Sequence, residues 1–347
     1  MKRGTFLSPV RWGIIGCGDV TEVKSGPGFQ KAHGSELVAV MRRTAHLAED
    51  YATRHGVPTW YDDADRLISD PKVGAVYVAT PPDTHLKYAL KVAAAGKPAY
   101  VEKPMGRNHS ECTVMIEAFE KAGLPLFVAY YRRALPRFLK VKELLGAGTI
   151  GKPTGVALTF SQPRHRAADG KLPWRLEAAS SGGGLVMDMG SHAVDIVDFL
   201  LGPIELVTGS AWNMTDSSPL EDRVVATFLA GGVPGTASWN FGSAAQEDLL
   251  AIDGTDGTIR LSVFGNDPVV CTNASGSEKF DLPNPAHVQQ PLIQTVVDEL
   301  TGNGACPSTP ASGARANAVL DQLLSGYYGD RSGDFWSQPE RWPRNRS

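Results

Sequence analysis

Two different patterns of apolar and polar positions divide this chain. From Arg11 to about Val128, short apolar runs alternate with stretches of helical spacing. The runs are WGIIG, LVAVM, AVYVAT, PAYVE and LPLFVAY. Continuous apolarity over so few residues marks strands covered on both faces, as parallel strands are. Between them, AHLAEDYATRHG, HLKYALKVAAAG and SECTVMIEAFEKAG carry helical spacing and end in Gly, the common stop. Strand and helix repeating in this way predict a doubly wound parallel sheet.

After about residue 150 the pattern changes. GVALTFSQ, IELVTGSAW, RVVATFLA, VPGTASWNF, DLLAIDG and GTIRLSV read as strands that follow one another with little helix between them. That order predicts a largely antiparallel sheet. Helical spacing flanks it in PRFLKVKELLGAG, HVQQPLIQTVVDELTG and SGARANAVLDQLLSGYY. The expected organisation is α/β: a dinucleotide-binding domain over residues 1–128, then an α+β domain over 129–347 with a large, mostly antiparallel open sheet. The tail GDFWSQPERWPRNRS has no clear period and is expected to wrap over a domain surface.

One stretch breaks its own pattern. Residues 182–202, GGGLVMDMGSHAVDIVDFLLG, read as a buried helix, yet Asp188, His192, Asp195 and Asp198 interrupt it. At about 100° per residue, Asp188, His192, Asp195 and Phe199 fall on one stripe, and Asp198 falls off it. Buried charges are costly unless paired or used. Three readings are open: a structural hydrogen-bonded row, a metal site, and a proton-transfer site with His192 as acid and base.

Composition narrows the partners. The 347 residues are 42% hydrophobic and 20% charged with a formal net charge of −3, as in a globular protein of two domains. The charges are mixed, so neither nucleic acid nor an anionic membrane is an expected partner. No apolar stretch has transmembrane length, and MKRGTFLSPVRWGIIGCG lacks the uninterrupted apolar core of a signal peptide. Cys17, Cys112, Cys271 and Cys306 lie far apart and are expected to be reduced thiols in a cytoplasmic protein.

The candidate chemistry begins at the first strand. GIIGCGDVTEV places Gly16 and Gly18 directly after it, with Asp19 and Val20 opening a helix. A tight turn there lets a phosphate approach the backbone, and a helix N-terminus favours the anion. Thr21 stands where the fingerprint has its third glycine. The second strand ends in Met41-Arg42-Arg43 rather than in the carboxylate that receives a ribose 2′-hydroxyl. Guanidinium binds phosphate, so NADP is favoured over NAD. In ATPPDTH, Thr80 and Pro81 leave the strand at its carboxyl end, where ligands bind, and His85 opens the next helix. PAYVEKP ends another strand in Glu102-Lys103-Pro104, and a lysine there stabilises charge developing on an alcohol oxygen.

In order and separation, GIIGCGDV, AVYVATPPDTH, VEKP and GGGLVMDMGSHAVD resemble the glucose–fructose oxidoreductase/inositol dehydrogenase (Gfo/Idh/MocA) family over nearly the whole chain. The resemblance implies an N-terminal Rossmann domain and a C-terminal domain whose open sheet forms the interface of a homo-oligomer, a dimer or tetramer. It implies an NAD(P)-dependent dehydrogenase acting on a sugar, sugar derivative or polyol. Lys103 then contacts the nicotinamide ribose and the reacting oxygen, and Asp188 and His192 lie beside the substrate, His192 moving the proton. Asp195 supports the histidine or binds substrate. Trp174 and Arg175 of PWRLE become cofactor candidates, as do Glu102 and His85, and Tyr131 and Arg133 of YYRR line the cleft. Thr21 and Arg42 depart from the pattern of many NAD-using members. The family also contains glycosidases that use NAD transiently, and a non-catalytic NADP-binding sensor is a further reading. No resident metal is expected. Specificity is expected in SQPRHRAADGKLPWRLE and around Trp212.

Overall fold

The computed structural model describes residues 6, 8–164, 174–215, 220–333, 335–338 and 341. Among them, β1 (Val10–Ile15), β2 (Ser35–Met41), β3 (Thr59–Tyr61), β4 (Ala75–Val78), β5 (Ala99–Val101) and β6 (Leu126–Val128) form one parallel sheet. Its order is β3-β2-β1-β4-β5-β6. The sequence reverses direction across the sheet between β1 and β4, which is the Rossmann arrangement and sets a crevice at the strands' carboxyl ends. All residues of β4, β5 and β6 are buried, which is why these runs carry no polar alternation.

The second sheet holds β7 (Pro153–Pro163), β8 (Ile204–Trp212), β9 (Arg223–Ala230), β10 (Val233–Ser243), β11 (Glu247–Gly254), β12 (Gly257–Leu261), β13 (Val269–Asn273) and β14 (Gly276–Phe280). Its order is β14-β13-β12-β11-β7-β10-β9-β8, antiparallel throughout except for the β7–β10 pair. Val156, Leu158 and Phe160 of β7, Val224, Ala226 and Phe228 of β9, and Ala237, Trp239 and Phe241 of β10 are buried. The residues between them are more open, so the sheet has one covered face. Ala193, Val194 and Val197 of the Ser191–Leu201 helix meet this face, together with Val319 and Leu323.

The chain's contacts group it into two units, and its division is less simple than one cut after residue 128. The first unit gathers Met1–Gly106, Glu111–Leu135 and Pro285–Ala314; the second gathers Arg107–Ser110, Pro136–Asn284 and Arg315–Ser347. The helix Gln290–Leu300, expected in the second domain, therefore belongs to the first unit. Polar pairs across long sequence separations bring it back. Gln289 Nε2 donates to Glu102 Oε1 at 2.6 Å, Ser308 Oγ donates to the Val128 carbonyl at 2.6 Å, and Phe6 N donates to the Leu300 carbonyl at 2.9 Å.

Three short strands escape the sequence reading. β3 is three residues long at a sheet edge with Trp60 exposed, and β13 and β14 end the other sheet with β14 mostly exposed. Edge strands bury too little to show a pattern. The helix expected after the glycine turn is also shorter than a Rossmann helix. It runs Asp19–Val23, and a second helix, Gly26–Lys31, follows. Thr21 is fully buried, and its hydroxyl donates to the Gly18 carbonyl at 2.8 Å while its own carbonyl accepts from Tyr51 Oη at 2.8 Å. Among the described residues no helix is long and apolar enough to cross a membrane.

Candidate functional site

In the first unit, the expected cofactor residues other than Trp174 and Arg175, which belong to the second unit, follow the carboxyl ends of the strands. The Gly16 and Cys17 amides both donate to the Met41 carbonyl, at 2.9 and 3.1 Å, which ties the glycine turn to the end of β2. Gly16 has φ +94°, and an added Cβ would lie 2.8 Å from Thr80 Cγ2 and 3.0 Å from the Ala79 carbonyl carbon. The turn after β1 thus presses against the turn after β4, and only glycine fits. Gly18 answers to no such demand. An added Cβ there would meet only the Gly16 carbonyl oxygen, at 3.9 Å. The protein itself leaves that side open, as the approach of a pyrophosphate requires.

Cys17 is fully buried, and burial pushes its thiol up to about 11, so it is a packing residue. The Arg42 guanidinium acts on that thiol in the opposite sense, which sets its charge near the glycine turn. The Arg42 amide donates to the Tyr61 carbonyl at 3.2 Å, and Arg43 is exposed. Nearby, Arg54 holds the Glu22 carboxyl down at about 2 with help from His55; the Arg54 Nη2–Glu22 Oε1 distance is 2.8 Å.

Two residues expected to touch cofactor have their polar atoms engaged inside the unit. Glu102 is 6% exposed, and its Oε1 accepts from Tyr77 Oη at 2.5 Å and from Gln289 Nε2 at 2.6 Å. Its Oε2 accepts from the Lys103 amide at 3.1 Å. The carboxylate therefore braces the turn that carries Lys103. His85 is fully buried, and both ring nitrogens face backbone carbonyls: Nε2 that of Thr80 at 2.7 Å, and Nδ1 those of Pro104 at 3.0 Å and Met105 at 3.3 Å. Tyr131 is buried with the Arg132 guanidinium 4.9 Å over its ring, and Arg133 is buried and donates to the Pro307 carbonyl at 3.2 Å.

In the second unit, the helix of the polar stripe departs from ideal α geometry. Val186–Gly190 form one π turn, in which the Ser191 amide donates back to the Val186 carbonyl; Ser191–Leu201 are α-helical. The π turn carries Asp188, whereas His192, Asp195 and Phe199 lie in the α-helical part and keep their α spacing. Asp188 pairs with Arg175, Oδ2 to Nε at 3.0 Å. Arg175 in turn stacks over Trp174 at 4.6 Å. His192 is 5% exposed and meets the Phe264 ring edge-on, centroids 6.3 Å apart. Asp195 is 1% exposed. Asp198 is the structural member: Arg315 donates to both its carboxylate oxygens at 2.8 Å.

The glycines leading into this helix serve close packing. Gly182 has φ +78° and caps the Ala178–Ser181 helix, and a Cβ on Gly184 would lie 2.4 Å from the Glu221 carbonyl oxygen. The Gly184 amide donates to both Glu221 carboxylate oxygens at 2.9 Å, and Tyr328 Oη donates to Oε2. Arg331 donates to the Gly182 carbonyl at 2.7 Å and pairs with Asp321. Tyr328 and Trp336 flank its guanidinium, at 5.6 and 5.8 Å to the ring centroids. Arg331, just before the tail that had no period, thus holds the run into Asp188 and His192, and Trp336 of that tail lies against its guanidinium. Sequence reasoning missed Glu221, Arg331 and Phe264, because each acts through a partner far along the chain.

Parts of the expected specificity region fall outside the described residues, among them 165–173 of SQPRHRAADGKLPWRLE. Trp212 ends β8 and is 43% exposed. Among the described residues no three His, Cys, Asp or Glu side chains cluster as metal ligands.

Comparison with known proteins agrees with this architecture. Residues 10–130 match the model of an oxidoreductase family with an NAD-binding Rossmann fold, and residues 138–260 match a Gfo/Idh/MocA C-terminal domain. An oxidoreductase of Formosa agariphila is 37% identical over 322 residues, covering 90% of this chain and 98% of its own. The 1,5-anhydro-D-fructose reductase of Ensifer adhaerens is 27% identical over 329 residues, covering 91% and 97%. The structure of a levoglucosan dehydrogenase in complex with NADH and levoglucosan superposes with a TM-score of 0.81 at 20% identity, covering 91% of this chain and 96% of its own. The chain therefore belongs to the Gfo/Idh/MocA family and is an NAD(P)-dependent dehydrogenase or reductase.

Proposed function

We propose that this enzyme acts on a hydroxyl or carbonyl carbon of a sugar, sugar derivative or polyol in the cytoplasm, prefers NADP to NAD, and assembles as a dimer or tetramer through its second sheet. The observation that carries the reading is the carboxyl edge of the first sheet. There the glycine turn, the Thr80–Pro81 turn and the Glu102-braced Lys103 turn leave neighbouring strands. Relatives that act on sugars support the substrate class.

Gly16, Gly18, Asp19 and Val20 would hold the pyrophosphate, Arg42 and Arg43 the 2′-phosphate, and Thr80, Pro81, Trp174 and Arg175 the rest of the cofactor. The nicotinamide, when bound, supplies the hydride exchange. His192 takes the proton of the substrate hydroxyl in oxidation and returns one to the carbonyl oxygen in reduction. The Lys103 ammonium stabilises that oxygen as charge develops on it. Asp188, oriented by Arg175, and Asp195 hold substrate hydroxyls, and Tyr131 lines the substrate.

The test is a panel of sugars, ketosugars and polyols with both nucleotides, followed at the nicotinamide absorbance. Turnover is expected with at least one of them, and more efficiently with NADP. Lys103→Ala and His192→Ala are each expected to lower kcat by about 10²–10⁴ while nucleotide affinity largely survives. Near-normal turnover in either variant removes that residue from the chemistry. Tightly held NAD that copurifies, with substrate consumed and no net absorbance change, would instead identify a transient-oxidation hydrolase.

A further inference from the structure

His85 stands in an arrangement that a neutral imidazole cannot satisfy. A neutral ring has one N–H and one lone pair. Both nitrogens of His85 face carbonyl oxygens: Nε2 that of Thr80 at 2.7 Å, Nδ1 those of Pro104 at 3.0 Å and Met105 at 3.3 Å. In either neutral tautomer one lone pair would point at an oxygen in a fully buried place, where that repulsion is unscreened. An imidazolium donates from both nitrogens and satisfies both turns.

Burial is the largest influence on the ring and on balance lowers its pKa, against the raising effect of the three carbonyls and the Glu102 carboxylate. The case for the charged ring is therefore geometric: two nitrogens that both face acceptor oxygens. Glu102 is the charged group acting on the ring among these influences, and its position is fixed by Tyr77, Gln289 and the Lys103 amide. The ring opens the helix His85–Ala94, and Thr84 Oγ1 reinforces the same turn by donating to Thr80 Oγ1 at 2.7 Å.

We infer that His85 is held as an imidazolium that ties the Thr80–Pro81 turn to the Pro104–Met105 turn, and so sets where Lys103 stands. It is a positioning residue, and this role rests on the proposed part of Lys103 in the reaction. Losing its proton would release one of the two turns.

The experiment is a long-range ¹⁵N–¹H ring correlation on the uniformly labelled full chain from pH 6 to 8.5. The other seven of its eight histidines are assigned by single replacement with Gln, which leaves His85 by elimination whether or not a His85 variant folds. Both His85 nitrogens are expected at imidazolium positions well above the ordinary titration near pH 6.5. A neutral-tautomer pattern at pH 7 overturns the inference. In the kinetic arm, His85→Gln is expected to lower kcat by about tenfold to a hundredfold and to remove a fall in kcat/KM on the alkaline side of the wild-type profile. An imidazolium spectrum with unchanged kcat and pH profile in His85→Gln overturns the positioning role. Unimpaired turnover in Lys103→Ala would sink the proposed chemistry while leaving the ring spectrum as it is.

Discussion

Gly16 and Gly18 sit two residues apart in one turn and answer to different demands. Gly16 is required by the protein, through its φ of +94° and the nearness of Thr80. Gly16→Ala is therefore expected to cost about 1–3 kcal/mol in urea unfolding. Gly18 has open space on its Cβ side, so Gly18→Ala should unfold like the wild type yet bind NADPH about tenfold or more weakly, a loss of about 1.4 kcal/mol. Normal NADPH affinity in Gly18→Ala would mean that no phosphate approaches that backbone. Arg42→Ala is expected to lower the ratio of kcat/KM for NADP over NAD by about tenfold to a hundredfold, the effect of one charge-assisted phosphate contact. An unchanged ratio removes Arg42 from cofactor selection. At this scale the sequence named candidate residues without their hydrogen-bond partners. Glu102 and His85 look like cofactor ligands in the motifs VEKP and TPPDTH, and the structure shows them bracing the turns that carry Thr80 and Lys103.

Among elements, the helix Ser191–Leu201 shows what a periodicity argument can and cannot read. Its apolar content and its polar positions at His192 and Asp195 follow from an α repeat. The π turn before it does not, because one extra backbone residue per turn leaves no mark on composition. Asp198 looked structural from its angle alone, and its partner, Arg315, lies 117 residues away. Asp198→Ala should cost about 1–3 kcal/mol, less than for a fully buried pair because Arg315 is 42% exposed. A double-mutant cycle with Arg315→Ala measures the coupling, and additive losses would show that the pair contributes nothing. The Glu22–Arg54 pair links the short helix Asp19–Val23 to the helix Ala45–His55. Arg54 depresses the Glu22 carboxyl from 4.5 to about 2, so its stabilisation is present above pH 4.5 and is lost as pH falls through about 2. The pair is partly exposed, so Glu22→Gln should destabilise by about 0.5–1 kcal/mol at pH 7. That difference should shrink steadily below pH 4.5, and thermal melts of both proteins across that range check it. A difference that stays constant with pH would assign the effect to packing.

For the whole molecule, β8 is the feature that points outward. It is the last strand of its sheet, and Leu206 is 75% exposed with a positive φ of 50° at an irregularity between Glu205 and Thr208. Trp212 and Met214 are exposed beside its end. An edge strand with large apolar side chains is a surface that proteins either blunt or cover. If the second sheet is the assembly surface, light scattering should give a dimer or tetramer, and Leu206→Glu with Trp212→Glu should shift it to smaller species. A wild-type monomer at micromolar concentration ends that proposal.

By itself the sequence determined the local repeat of strands and helices, the glycine turn after β1, the change to antiparallel strands after residue 150, and the residue types poised at the strand ends. Each of these rests on a spacing of a few residues, where backbone geometry dictates the pattern. Only the tertiary structure decided which polar groups far apart in the sequence are paired. Gln289 reaches Glu102 across 187 residues, Tyr328 reaches Glu221 across 107, and Ser308 reaches Val128 across 180. Such partners are chosen by burial, since a polar atom removed from water must find whatever complement the fold brings beside it. No local spacing announces that choice.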